Sequence, residues 1–89
     1  MTYLSVGTTL EGEWTPLGRY RTVAAAQEAA RTAIRDGRAR KVLVVPAVGT
    51  GPVTLIQATA LTGWDPANLI VRRVRDPKAL ALVRGLYGS

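Results

Sequence analysis

The chain has 89 residues and contains neither cysteine nor histidine. A domain of this size gains only a modest margin of stability from burial, and many small domains add disulfides or a structural zinc ion. This sequence lacks the residues that build either device. We therefore expect one domain, residues 1–89, held together by an apolar core of valine, leucine, isoleucine and alanine.

The same two absences limit the chemistry of the chain. Histidine and cysteine supply most general bases near neutral pH and most thiolate nucleophiles. Two pairs of carboxylates could be considered for catalysis, and each has a simpler explanation. Glu11 and Glu13 lie in a polar turn, while Asp65 and Asp76 each precede a proline, as helix or turn caps do. The sequence predicts no enzymatic activity, no metal site and no cofactor.

The N-terminal segment predicts a β-hairpin. Residues 2–10 and 13–21 carry aromatic and β-branched side chains on either side of a turn at Glu11 and Gly12. Pro16 lacks a backbone N–H group and so cannot donate to a central ladder. We expect the second strand to lie at a sheet edge or to contain a bulge.

Residues 22–36 predict a helix that packs closely against the sheet. Thr22 is a suitable N-cap and Gly37 stands where a left-handed C-terminal residue is favoured. Alanine-rich spacing lets a helix approach its neighbours closely. The predicted inward stripe consists of Val23, Ala26, Ala30, Ala33 and Ile34.

The second half of the chain allows two interpretations. Residues 41–48 form a continuous apolar run typical of a central strand. Residues 53–61 and 69–75 are predicted as further strands, because valine, isoleucine and threonine lose rotamer freedom in helices. The alternative makes 52–75 helical and resembles a helix-turn-helix. Residues 77–87 predict a short C-terminal helix opened by a capping aspartate and a proline.

These elements together predict an α+β fold. The hairpin, the helix at 22–36, the central strand and the further strands would form a mainly antiparallel sheet. We expect all helices on one side of that sheet. In the helix-turn-helix alternative, Asn68, Arg72 and Arg75 would face the DNA groove.

The formal net charge of +6 suggests a polyanionic partner, such as nucleic acid or a nucleic-acid-associated protein. Arginine binds phosphate in a bidentate geometry and stacks on bases. The candidate nucleic-acid-binding residues are Arg31, Arg35, Arg38, Arg40, Lys41, Arg72, Arg73, Arg75 and Lys78. The competing interpretation is a solvated surface, with the basic charge reflecting an arginine- and alanine-rich composition.

The sequence is also compatible with two other kinds of partner. The sheet edge or the terminal helix would suit a protein–protein adaptor or a homo-oligomeric subunit. The loop containing Gly49 and Gly51 follows an apolar strand, where backbone amides can bind phosphate. This loop has no lysine, and Pro52 removes one amide donor, so a plain connecting turn is the simpler interpretation.

The chain shows no targeting or membrane signal in its sequence. No apolar run approaches the roughly 18 residues of a membrane span. The first four residues carry no basic side chain ahead of an apolar stretch. We expect a cytoplasmic protein that does not associate with membranes.

Overall fold

A computed structural model describes residues 2–8, 12–58 and 69–88. Within these residues the strands form one five-stranded sheet in the order β2-β1-β3-β4-β5, with every neighbouring pair antiparallel. The predicted α+β fold is confirmed. The elements are β1 (Tyr3–Thr8), β2 (Trp14–Tyr20), α1 (Val23–Arg35), β3 (Lys41–Pro46), β4 (Val53–Ala58), β5 (Leu69–Val74) and α2 (Pro77–Gly88).

The segment that allowed two interpretations contains two strands among its described residues. Val53–Ala58 and Leu69–Val74 both lie in the sheet, so the helix-turn-helix alternative is wrong. Their β-branched side chains fit a pleated surface better than a helix, as expected. The predicted strand end at 59–61, the predicted turn at 65–68 and Glu11 of the hairpin turn lie outside the described residues.

Strand β2 is an edge strand and it is also bulged. Ser5 lies opposite Gly18 while Val6 lies opposite Pro16, so Leu17 is an extra residue in β2. Gly18 has a φ of +155°, which favours glycine. Pro16 therefore stands at a position where its missing donor is tolerated, as the sequence predicted.

The ends of α1 are capped by the residues that the sequence indicated. The Thr22 side chain accepts a hydrogen bond from the Ala25 N–H at 3.1 Å. Gly37 has a φ of +75°, and the Arg38 N–H donates to the Ala33 carbonyl oxygen at 2.9 Å. This arrangement is a Schellman motif, which explains why the helix ends here.

The two helices lie on opposite faces of the sheet, so the expectation of all helices on one side is wrong. Alternate residues of β3 belong to two separate clusters: Val42 and Val44 pack with α1, whereas Leu43 and Val45 pack with α2. Both sets are apolar, so β3 needs cover on both faces and a single helix supplies only one. The continuous apolar run already carried this information.

Helix α2 is fastened to the sheet by two long side chains. The Tyr87 hydroxyl donates to the Ser5 carbonyl oxygen and accepts from the Gly18 N–H at 2.8 Å. The Arg84 guanidinium donates to the carbonyl oxygens of Pro46, at 3.0 Å from Nη2, and of Gly49. These contacts tie α2 to β1, β2 and the end of β3.

Neither described helix is long and apolar enough to cross a membrane.

Candidate functional site

The predicted basic residues lie at two opposite ends of the sheet. Arg38 follows α1 and Lys41 begins β3. Arg75 and Lys78 lie beyond the end of β5, beside the start of β4 at Val53. Since β3 and β4 are antiparallel, these two starts are at opposite ends. The structure therefore spreads the predicted residues over both ends of the sheet, although Lys41 and Lys78 line one groove beside α2.

The basic residues of β5 also point to opposite faces. Arg72 lies opposite Leu55, on the side of the sheet that α2 covers in part. Arg73 lies opposite Thr54, which places it on the α1 side. Neighbouring residues of a strand alternate between faces, so no single flat surface can use both side chains.

Few of these cations are neutralised by a carboxylate. Arg35 and Arg38 each approach Asp36 at 3.9 Å, and all three side chains are at least half exposed. Such surface pairs contribute about 0–1 kcal/mol. The backbone N–H of Arg40 donates to the Thr8 carbonyl oxygen at 2.9 Å. No ion pair to a described residue is formed by Arg31, Lys41, Arg72, Arg73, Arg75 or Lys78.

Strand β5 is the most exposed part of the sheet. Ile70 and Val71 are each 42% exposed and Val74 is 38% exposed. The strand is hydrogen-bonded to β4 on one side and forms the end of the sheet on the other. Its six register pairs with β4 run without a shift, and it contains no proline. We call the outer side of Leu69–Val74 the β5 edge.

A groove adjoins the β5 edge on the α2 side of the sheet. It encloses about 320 Å³, and Leu43, Leu55 and Leu82 make much of its surface apolar. Val74 belongs to both the groove and β5, so the two features form one continuous region. Its lining consists of Trp14, Lys41, Leu43, Val53, Leu55, Val74, Asp76, Lys78, Ala79 and Leu82. We call this region the α2-side groove.

Charged groups of the groove are mostly basic. Lys41 and Lys78 line it, and Arg72 lies on the same face of the sheet, opposite Leu55. Asp76 also lines it, but its Oδ1 accepts from the N–H groups of Lys78 at 3.1 Å and Ala79 at 3.2 Å. That carboxylate caps α2, as the sequence predicted, and is therefore already engaged.

Sequence reasoning missed the apolar residues of this region. The period-two pattern of β3 and β4 places Leu43 and Leu55 on one face, but only the position of α2 shows that part of this face stays uncovered. Leu82 lies beside the main apolar stripe of α2 and is 41% exposed. For Trp14 the sequence predicted only that it lies in a strand.

The loop containing Gly49 and Gly51 leads into a strand, β4, and no helix begins there. The N-terminus of α2 lies beside the loop, since Asp76 and Pro77 line a depression with Thr50 and Gly51, but the Asp76 carboxylate already accepts hydrogen bonds from the amides of Lys78 and Ala79. The Gly49 carbonyl oxygen accepts from Arg84, which ties the loop to α2. The predicted phosphate role stays a prediction, with Arg73 and Arg75 lining shallow depressions beside the loop.

Comparison with known proteins adds no assignment. No protein-family model matches this chain, and neither a curated protein nor a solved structure does. Among the described residues, no group of three carboxylates lies close enough to hold a metal ion. What the described residues offer is an apolar, cationic surface suited to binding.

Proposed function

We propose that the protein is a non-enzymatic interaction module that binds another protein through the β5 edge. The observation that carries this proposal is the exposure of Ile70, Val71 and Val74 on a regular edge strand. An edge strand presents a row of unpaired N–H and C=O groups, and many peptide-binding proteins use such an edge to accept an added strand. The α2-side groove would receive side chains of the same partner.

The distribution of charge favours a protein over nucleic acid as the main partner. A nucleic-acid backbone is bound by cations that follow its phosphates along one continuous surface. Here the basic residues occupy two ends and both faces of the sheet. The exposed apolar side chains between them are typical of the core of a protein interface. They offer no favourable contact to the phosphates of a nucleic-acid backbone.

Nucleic-acid binding remains a second candidate because of the cations that form no ion pair with a described residue. Together with a net charge of +6, they favour non-specific attraction to polyanions. This candidate predicts retention on heparin or duplex DNA that falls steeply between low and high salt. Retention that is the same at both salt concentrations would remove it. The cytoplasm is the compartment proposed for either function.

The test of the main proposal uses a library of short random peptides displayed on phage. Peptides enriched on the full chain are added to the isotope-labelled protein, and amide shifts are recorded by NMR. We expect the largest shifts within residues 69–74. Shifts concentrated on β2 or on α1, or an absence of any enriched peptide, would contradict the proposal.

A matched pair of variants controls that test. Val71→Lys removes one of the exposed apolar side chains that carry the proposed contact at the β5 edge. Thr15→Lys adds the same charge on the opposite edge, at an exposed position of β2. We expect Val71→Lys to abolish peptide binding and Thr15→Lys to preserve it. Equal effects of the two variants would show that net charge alone governs binding.

A further inference from the structure

The centre of the β5 edge carries two adjacent arginines between two exposed valines. Arg72 points to the α2 side of the sheet and Arg73 to the α1 side, while Val71 and Val74 flank them. Both arginine side chains lie at exposed positions, and neither forms an ion pair with a described residue. A strand added at this edge would therefore meet a positive charge on each of its faces.

Cross-strand geometry determines which side chains would complement this arrangement. Directly opposite residues of an antiparallel pair have Cβ atoms about 4.5–5.5 Å apart, close enough for opposite charges to interact. One carboxylate is needed opposite Arg72 and another opposite Arg73. Because neighbouring residues of a strand point to opposite faces, those two carboxylates must be consecutive in the partner.

We propose that the β5 edge binds an extended, acidic segment of a partner protein in which two consecutive carboxylate residues lie between apolar residues. The apolar neighbours would pack against Val71 and Val74, which are 42% and 38% exposed. This inference rests on the proposed function, since it names the class of segment that the β5 edge accepts.

A second copy of this chain is a poor occupant of the same edge. Antiparallel pairing centred on Arg72 or on Arg73 would place identical guanidinium groups directly opposite each other, which destabilises a sheet. Pairing over the full strand would place Val71 opposite Arg72 and Ile70 opposite Arg73, so that neither arginine gains a carboxylate partner. The chain also contains no two consecutive acidic residues, so none of its own segments matches the required pattern. Charge complementarity therefore points to a different protein.

Three synthetic peptides test the spacing of the carboxylates. The first has two consecutive glutamates flanked by valines; the second separates the glutamates by one residue; the third replaces both with lysines. Separation places both carboxylates on one face and leaves one arginine without a partner, so we expect about 1.5- to 5-fold weaker binding. For the lysine peptide we expect a loss of about 10-fold or more. Titration followed by NMR measures all three.

A charge-reversed variant tests whether the two arginines are the recognition groups. The double variant Arg72→Glu/Arg73→Glu should no longer bind the glutamate peptide and should bind the lysine peptide instead. The matched control, Arg31→Glu/Arg35→Glu, makes the same change in net charge on the exposed side of α1 and should bind as the wild type does. A failure of the lysine peptide to bind the reversed variant would overturn the inference.

The outcomes separate this inference from the function on which it rests. If the glutamate and lysine peptides shift residues 69–74 equally, the acidic specificity is wrong and the β5 edge remains a docking site. If no peptide shifts those amides, both proposals are wrong. If a single-stranded oligonucleotide shifts them and the glutamate peptide does not, phosphate is the recognised group and the acidic-segment inference is wrong.

Discussion

The two edges of the sheet are built in opposite ways. Strand β2 contains Pro16, a bulge at Leu17 and a hydrogen-bonded contact from Tyr87 of α2 to Gly18. Strand β5 contains no proline, six regular pairs join it to β4, and most of its side chains are exposed. Both strands end the same sheet, yet among the described residues the proline, the bulge and the hydrogen bond from a helix belong to β2.

This difference between the two edges agrees with the proposed role of β5 as a binding surface. Natural proteins protect edge strands with proline, bulges, lysine or covering segments, because an open edge promotes aggregation. At β5 we propose that Arg72 and Arg73 supply this restraint, because they would disfavour a second copy and attract an acidic partner. The β2 edge is protected by backbone geometry, whereas we propose that the β5 edge selects its partner through charge.

The largest expected effect is a loss of stability that distinguishes the core from the β5 edge. Ile56 and Val71 lie opposite each other on the α1 side, but Ile56 is completely buried and Val71 is 42% exposed. Ile56→Ala should lower the free energy of unfolding by about 2–5 kcal/mol, since it leaves a cavity. Val71→Ala should cost less than about 1 kcal/mol. Urea denaturation measures both, and similar costs would place β5 inside the core.

The next effect concerns the close packing on the β2 side of the sheet. A Cβ atom at Gly7 would lie 2.8 Å from the Ala39 Cβ and 3.1 Å from the Leu17 Cδ1. Gly7→Ala should therefore destabilise the protein by about 1–3 kcal/mol. Gly85→Ala is the matched control: nothing lies within 4 Å of its Cβ, and the helix should gain roughly 0.5–1 kcal/mol. Thermal unfolding measures both variants, and melting temperatures that change in the same direction would contradict this packing.

A smaller effect tests the fastening of β2 by α2. Tyr87→Phe removes the hydroxyl that serves the Ser5 carbonyl oxygen and the Gly18 N–H. The expected cost is about 1 kcal/mol, because these groups are only part-buried. Hydrogen exchange should become faster at Gly18 and stay unchanged at the amides of β5. Unchanged exchange at Gly18 would show that the tyrosine does not hold this edge.

The smallest effect on stability concerns the arginines of β5. The double variant Arg72→Thr/Arg73→Thr should change the free energy of unfolding by less than about 0.5 kcal/mol, since both side chains are exposed. It should nevertheless self-associate at concentrations where the wild type stays monomeric, because the repulsion between copies is removed. Sedimentation velocity compares the two proteins. A monomeric double variant would show that charge does not protect this edge.

Local signals predicted most of the fold correctly. Thr22, Gly37 and Asp76 cap or end their helices as expected, because a cap depends on neighbours within a few residues. The strands of β4 and β5 followed from side-chain branching. The side of the sheet taken by α2 was predicted wrongly, although both faces of the apolar run at β3 needed cover.

The candidate surface was less predictable than the fold. The sequence indicated which residues are basic, and it named Arg72, Arg73 and Arg75 together with the residues around Arg38 as candidates for binding nucleic acid. The structure assigns them to different faces and ends, because the position of a residue in space depends on strand order and register. The exposed apolar neighbours of the arginines became visible only once β5 was placed at the end of the sheet.

The sequence by itself determined the kinds of elements, their caps and the excess of positive charge. It also determined that an apolar core must hold the fold without disulfides or cysteine- and histidine-bound zinc. Those properties depend on residue type and on neighbours close along the chain. Only the tertiary structure decided that α1 and α2 cover opposite faces, that Tyr87 is hydrogen-bonded to the β2 edge, and that β5 ends the described sheet with an arginine on each face. Such features arise from contacts between residues far apart in the chain, and burial settles them only when all five strands are in place.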